Sequence, residues 1–342
     1  MAALPIFTFS RERVVFPDGS WQRATPESQG FDSRKVENAL AYLKSVVGDE
    51  GVSQTLLVSR GYVIWSGNDI DRIHPVWSCT KSFLSTCLGL LWDDGKCSPS
   101  DLAAIYLPEL AEKYPKVTLE HLATFTSGLD LQRGEIEADD PDFEVGTAMH
   151  YSVQSDLLAL ILTKIANEPL KTLFKRRIGD PIGIPDDAFY WGTIHELNSI
   201  ELNGGAGMPE NGISTNARAI ARFGWLFANG GEWRGRQLIS KRYIDYACSV
   251  RVPATVKPFN SEEWYADVLP GNYGLNWWVN GEGKNGKLLW PTLSSRAFAA
   301  QGNKNNICII EPERKLVLVR LAEDSVIDVS LYDGVFARLL DR

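Results

Sequence analysis

Trp77-Ser78-Cys79-Thr80-Lys81-Ser82-Phe83-Leu84-Ser85-Thr86-Cys87-Leu88-Gly89-Leu90-Leu91-Trp92 is the stretch on which the reading of this chain turns. Phe83, Leu84, Cys87, Leu88, Leu90 and Leu91 recur at helical spacing, which predicts a buried helix beginning near the serine. Pro75 stops whatever precedes it, and Asp93-Asp94-Gly95 supplies a C-terminal stop. On such a helix Ser78 and Lys81, three residues apart, share one face, with Cβ atoms about 5–6 Å apart. A hydroxyl and an amine are then within reach of each other. The unpaired N–H groups and positive end of a helix N-terminus would favour an oxyanion forming beside the serine. Ser-x-x-Lys occurs once in the chain, a frequency that chance alone supplies, so the pattern needs independent support.

Working outward, residues 1–30 read as irregular. Asp32 or Ser33 caps a helix to about Val47, with Val36, Leu40, Leu43 and Val46 on one face. Gln54 to Ser66 reads as two strands turning at Arg60-Gly61. From about Ser98 to Asn229 the pattern is mainly helical, with one helix from Gln154 to Ile165 and another from about Asn216 to Ala228, capped by Ser214 or Thr215. Four β-like runs follow, at 272–279, 296–300, 306–310 and 315–321, and a last helix from about Val329 to Leu340. Strands, helices, strands and a helix in that order predict an α+β fold. Residues 1–97 and 231–342 form an antiparallel sheet flanked by helices, and 98–230 is an inserted, mainly helical region within a single catalytic unit.

Composition narrows the function. The 342 residues include 44% hydrophobic and 23% charged residues, with eleven Trp and fourteen Phe to fill a core. The net charge of −8 argues against a nucleic-acid partner. No run of 18 apolar residues suggests a membrane span, and the first 20 residues lack the apolar core of a signal peptide. The five cysteines, at 79, 87, 97, 248 and 308, match neither a disulfide framework nor a zinc site. Cys79 and Cys87 read as small apolar packing residues, and a reducing, cytoplasmic location is the expectation. The four histidines show no metal-ligand spacing, so neither metal nor cofactor is expected.

Two patterns mislead. Gly281-Glu-Gly-Lys-Asn-Gly286 fits a dinucleotide-binding glycine motif, but Lys287-Leu-Leu-Trp-Pro291 after it does not form a helix, so a hairpin loop is expected. The acidic stretch of Glu135, Glu137, Asp139, Asp140, Asp142 and Glu144 lacks the spacing of a calcium loop. It reads as a solvated loop that borders the cleft and disfavours anionic substrates.

Serine becomes a nucleophile only when a base takes its proton, and lysine serves as that base only when its pKa falls well below 10. A tyrosine beside the lysine shares the task, and His150-Tyr151-Ser152 stands just before the helix at Gln154. Together the segments resemble the serine β-lactamase-related family: class C-type β-lactamases, penicillin-recognising peptidases, family VIII esterases and the 6-aminohexanoate-dimer hydrolase type. Trp77 to Phe83 is similar to the family's nucleophile motif. Val117 to Leu129 resembles its helix-and-turn signature, His150-Tyr151-Ser152 its second motif, Gly212 to Gly224 a further helix, and Phe298-Ala-Ala-Gln-Gly-Asn303 its third motif.

The resemblance implies a β-lactamase/transpeptidase-like fold. It also implies Ser78 as nucleophile, Lys81 and Tyr151 sharing proton transfer, and an oxyanion hole from the N–H groups of Ser78 and of Asn303, just after Gly302. Where β-lactamases have Tyr-x-Asn the chain has Tyr151-Ser152-Val153. Where they have Lys-Thr-Gly it has Ala300-Gln301-Gly302, and Phe125 replaces a histidine common in the family. The groups that hold a β-lactam are missing while the nucleophile apparatus remains. The expectation is therefore a serine hydrolase of small esters or amides with little β-lactamase activity. The alternatives are a peptidase or amidase acting on cell-wall or oligoamide fragments, and a non-catalytic ligand-binding sensor.

Overall fold

The computed structural model describes residues 14–129, 141–152, 154–323 and 328–340. A seven-stranded sheet organises them: β1 Gln22–Arg23, β2 Thr55–Ser59, β3 Tyr62–Ser66, β4 Trp278–Val279, β5 Phe298–Gly302, β6 Asn306–Glu311 and β7 Leu316–Arg320, in the spatial order β1-β3-β2-β7-β6-β5-β4. All pairs are antiparallel except β1 with β3, so a short strand comes from a segment whose sequence reads as irregular. Five helices among the described residues are ten residues or longer: α1 Ser33–Val47, α2 Thr80–Asp93, α3 Gln154–Ala166, α4 Ala217–Ala228 and α5 Leu331–Leu340.

The two-residue period of a strand sends alternate side chains to opposite faces. Along β6 and β7, Cys308, Ile310, Val317 and Val319 join the core under α2 and α4. Ile307, Ile309, Leu316 and Leu318 join the core under α1 and α5. Both faces are covered, which explains why Leu-Val-Leu-Val reads as an unbroken apolar run. On the first face Phe83 of α2 stacks on Phe223 of α4, with ring centroids 4.1 Å apart. On the second, Leu40 and Leu43 of α1 share a cluster with Val335 and Phe336 of α5.

Local expectations hold with four adjustments. Asp32 caps α1, its carboxylate accepting from the Arg34 N–H at 2.9 Å. Asn216 caps α4 rather than Ser214 or Thr215, accepting from Ala219 N at 3.0 Å. Ser214 and Thr215 are held instead in a strand, Ile213–Thr215, that pairs with His74–Pro75 and with Phe189–Trp191. The run 272–279 yields only β4, because Asn276 turns the chain with φ +56°. The last helix starts at Leu331, since Val329 is packed into the core and the Leu331 N–H bonds back to Asp328. The helix after the serine opens with a 3₁₀ turn, Trp77–Cys79, before α2 proper. The glycine-rich 281–286 segment is a hairpin loop closed by the Glu282–Leu288 bridge. All five cysteines are thiols, and Cys79 and Cys87 are fully buried.

Candidate active site

The chain reaches Ser78 from the strand pair at His74–Pro75, and the Val76 N–H bonds the Ile213 carbonyl at 2.9 Å. Trp77 then takes φ +52°, in the left-handed region that costs a side-chain-bearing residue about 1–2 kcal/mol. The reversal leaves Ser78 on the first turn of the helix and Lys81 one turn on, as the spacing predicts. Thr80 anchors the turn from below by accepting from the Ile213 N–H at 3.0 Å.

Lys81 is 3% exposed. Its Nζ stands 2.9 Å from Ser78 Oγ and also donates to the Ala206 carbonyl. Burial pushes its pKa down from 10.5 to about 8, with the Asp156 carboxylate opposing part of that shift. Free amine is then present near neutral pH. The Tyr151 ring lies 5.0 Å from Lys81 Nζ, with the Ser78 side chain beside its hydroxyl. Burial raises the phenol well above its usual range, with Ser78 offsetting only part of the rise, so Tyr151 stays protonated.

Aromatic neighbours hold that ring in place. Phe125, itself at φ +61°, packs 4.6 Å away, with Trp264, Tyr265 and Tyr273 at 5.6, 6.0 and 6.1 Å between centroids. Phe125, in the place of the family's histidine, is therefore a wall of the tyrosine's socket.

Gly302 ends β5 against the serine turn. A Cβ built on it would lie 2.1 Å from the Val76 carbonyl oxygen and 2.9 Å from the Ser78 nitrogen, a separation that no side chain tolerates. Asn303 begins the hairpin after it, and its side chain serves that turn, with Oδ1 accepting from Lys304 N at 2.8 Å. The structure thus gathers Ser78, Lys81, Tyr151 and Gly302, with Asn303 next in the chain.

His150 lies beside the site, its Nδ1 3.6 Å from the Asp142 carboxylate and its ring stacked on Phe259. Of the acidic stretch, Glu135, Glu137, Asp139 and Asp140 lie outside the described residues, as does Val153.

Three further neighbours of the Ser78–Lys81 pair escape a reading of the sequence. Asp156 accepts from the backbone N–H groups of Gly205 and Ala206 at 2.7 and 2.8 Å. Ala206 offers its carbonyl to Lys81. Gly207, at φ +82°, lies against the Trp77 carbonyl and the Ser78 α-carbon. The available signal was the run Gly204-Gly205-Ala206-Gly207, whose small residues mark a close backbone approach.

A protein-family model described as Beta-lactamase matches residues 56–334. The chain belongs to the beta-lactamase family. Within that family it is 23% identical over 330 aligned residues to the 6-aminohexanoate-dimer hydrolase of Paenarthrobacter ureafaciens, with 83% of this chain and 81% of that protein covered. Among solved structures, a family VIII carboxylesterase superposes with a TM-score of 0.67 at 19% identity, covering 94% of this chain and 99% of that one. The D-alanine carboxypeptidase AmpC of Burkholderia cenocepacia gives 0.62 at 18%, covering 90% and 99%. These likenesses establish the fold expected from the sequence and a family with esterase, amidase and peptidase members.

Proposed function

We propose that this protein is a serine hydrolase that cleaves small esters or amides through an acyl-enzyme on Ser78. The observation that carries the proposal is the buried Lys81 amine 2.9 Å from Ser78 Oγ, with its pKa brought down to about 8. Neutral Lys81 accepts the Ser78 proton as Oγ attacks the substrate carbonyl carbon. The negative charge moves onto the carbonyl oxygen, facing the N–H groups of Ser78 and Asn303 across Gly302. Collapse of the tetrahedral intermediate breaks the bond to the leaving group, which takes its proton from Lys81 through the Tyr151 hydroxyl. Water then attacks the acyl-enzyme by the same route in reverse, releasing the acid and restoring Ser78.

The rim of the site supports an apolar substrate. Trp264 is 62% exposed beside Tyr151, Phe259 is half-exposed on His150, and Met208 follows the glycine that touches Ser78. The absent lysine and asparagine of the β-lactam site support little activity on β-lactams. A purely ligand-binding role leaves the depressed lysine and the protonated tyrosine without a purpose.

A fluorophosphonate probe tests the proposal. Labelling of the wild type, absent in Ser78→Ala, is the expected result. An unlabelled wild type that hydrolyses none of a panel of p-nitrophenyl esters, nitrocefin and a small amide would contradict it.

A further inference from the structure

Asp156 sits in the first turn of α3, on a different element from each of the three groups assigned to the chemistry. One of its carboxylate oxygens, Oδ1, accepts both the Gly205 and the Ala206 backbone N–H. The carbonyl of that same Ala206 accepts a hydrogen from Lys81 Nζ. On either side the segment is wedged: the Gly205 α-carbon lies against the Ser155 carbonyl, and Gly207 lies against the Trp77 carbonyl and Ser78. A continuous path therefore runs from the carboxylate, through two peptide units, to the amine and the serine.

We infer that Asp156 is a positioning residue that aims the Lys81 lone pair at Ser78 by holding the Ala206 carbonyl in place. The inference rests on the Ser78–Lys81 chemistry proposed above. A neutral amine has two hydrogens and one lone pair, and free rotation about Cε–Nζ would point that lone pair anywhere on a cone. A carbonyl only accepts, so it commits one hydrogen and removes most of that freedom. The lone pair is then left to face the Ser78 hydroxyl. Pre-set orientation of this kind lowers the barrier because the ordering is complete before reaction.

Asp156 has a second, opposing influence. Its negative charge favours the ammonium form of Lys81. The other titratable groups acting on that amine are Cys79 from its own turn and the Tyr151 phenol over which it lies. Geometry and charge are separable, because asparagine keeps an acceptor oxygen at the same point and loses the charge.

The experiment compares D156N and D156A with wild type, counting active sites with a fluorophosphonate and measuring kcat/KM against pH on a p-nitrophenyl ester. In D156N the rate rise on the acid side moves to lower pH by about 0.5–1 unit, while the plateau per active site stays within about 3-fold of wild type. In D156A the same downward shift comes with a plateau lower by about 10–100-fold. A D156A plateau equal to wild type overturns the inference, as does a plateau loss in which neither variant moves the rise, since a mere loop tie would do that. Where D156A does not fold, D156N decides alone: a plateau more than about 10-fold below wild type, although the acceptor oxygen is kept, overturns the proposal. Failure of the wild type to label would instead sink the serine-hydrolase reading itself.

Discussion

Gly302 and Ser78 meet backbone to backbone: a methyl group added to the glycine would stand 2.9 Å from the serine nitrogen and 2.1 Å from the Val76 carbonyl oxygen. The strand end and the helix start are therefore fixed relative to each other by the absence of a side chain.

Gly302→Ala accordingly forces strand and turn apart. Displacing an oxyanion donor typically lowers kcat by about 10²–10³. We expect a loss of that size on a p-nitrophenyl ester, together with a lower thermal midpoint. A variant with wild-type kcat would show that this approach is irrelevant to turnover.

Tyr151→Phe removes the hydroxyl beside Ser78 and leaves the ring in its aromatic socket. Losing a proton relay costs about 10²–10⁴ in rate. The expected outcome is a fall in kcat of that order with KM changed by less than about 3-fold. Because burial raises the phenol, the wild-type rate should also show no change from tyrosine ionisation below about pH 10.

Lys81 is held at a cost to stability. Its pKa falls from 10.5 to about 8 on folding, so between those values the unfolded chain binds more protons and stability rises with pH. Below pH 8 the whole penalty is felt. Lys81→Met should be inactive yet more stable at neutral pH by about 1–3 kcal/mol, and the gain should vanish as the pH passes 10.5. Urea denaturation at several pH values measures it, and a variant less stable at neutral pH would oppose the argument.

Trp264→Ala opens the rim beside Tyr151. If the exposed indole carries apolar substrate surface, kcat/KM for a long-chain p-nitrophenyl ester should fall by about 10-fold while the acetate changes by less than about 2-fold. Equal losses on both esters would place the effect on Tyr151 rather than on the substrate.

Much of this was legible in the chain. Helical periodicity placed Ser78 and Lys81 on one face, and the alternation of β6 and β7 appeared as apolar runs because both faces are covered. Tyr151 was recognisable only through its flanking motif, since nothing in the spacing ties residue 151 to residue 78. Asp156 and Ala206 were not legible, for a physical reason. They act through peptide N–H and C=O groups that every residue owns, and their partners lie about fifty and more than a hundred positions away. An aspartate in a first helical turn otherwise reads as ordinary dipole compensation. The Asn216 cap was missed because Ser214 and Thr215 are equally good caps by type, and only strand pairing to His74 and Phe189 removes them from that role.

The most direct test of the central claim is the pH dependence of the rate at which a neutral fluorophosphonate labels Ser78. If a neutral Lys81 draws the proton from the serine, the rate rises through a midpoint near pH 8, and Lys81→Arg abolishes the labelling. A rate that is flat between about pH 6 and pH 10, or a Lys81→Arg variant that labels as fast as wild type, would contradict it.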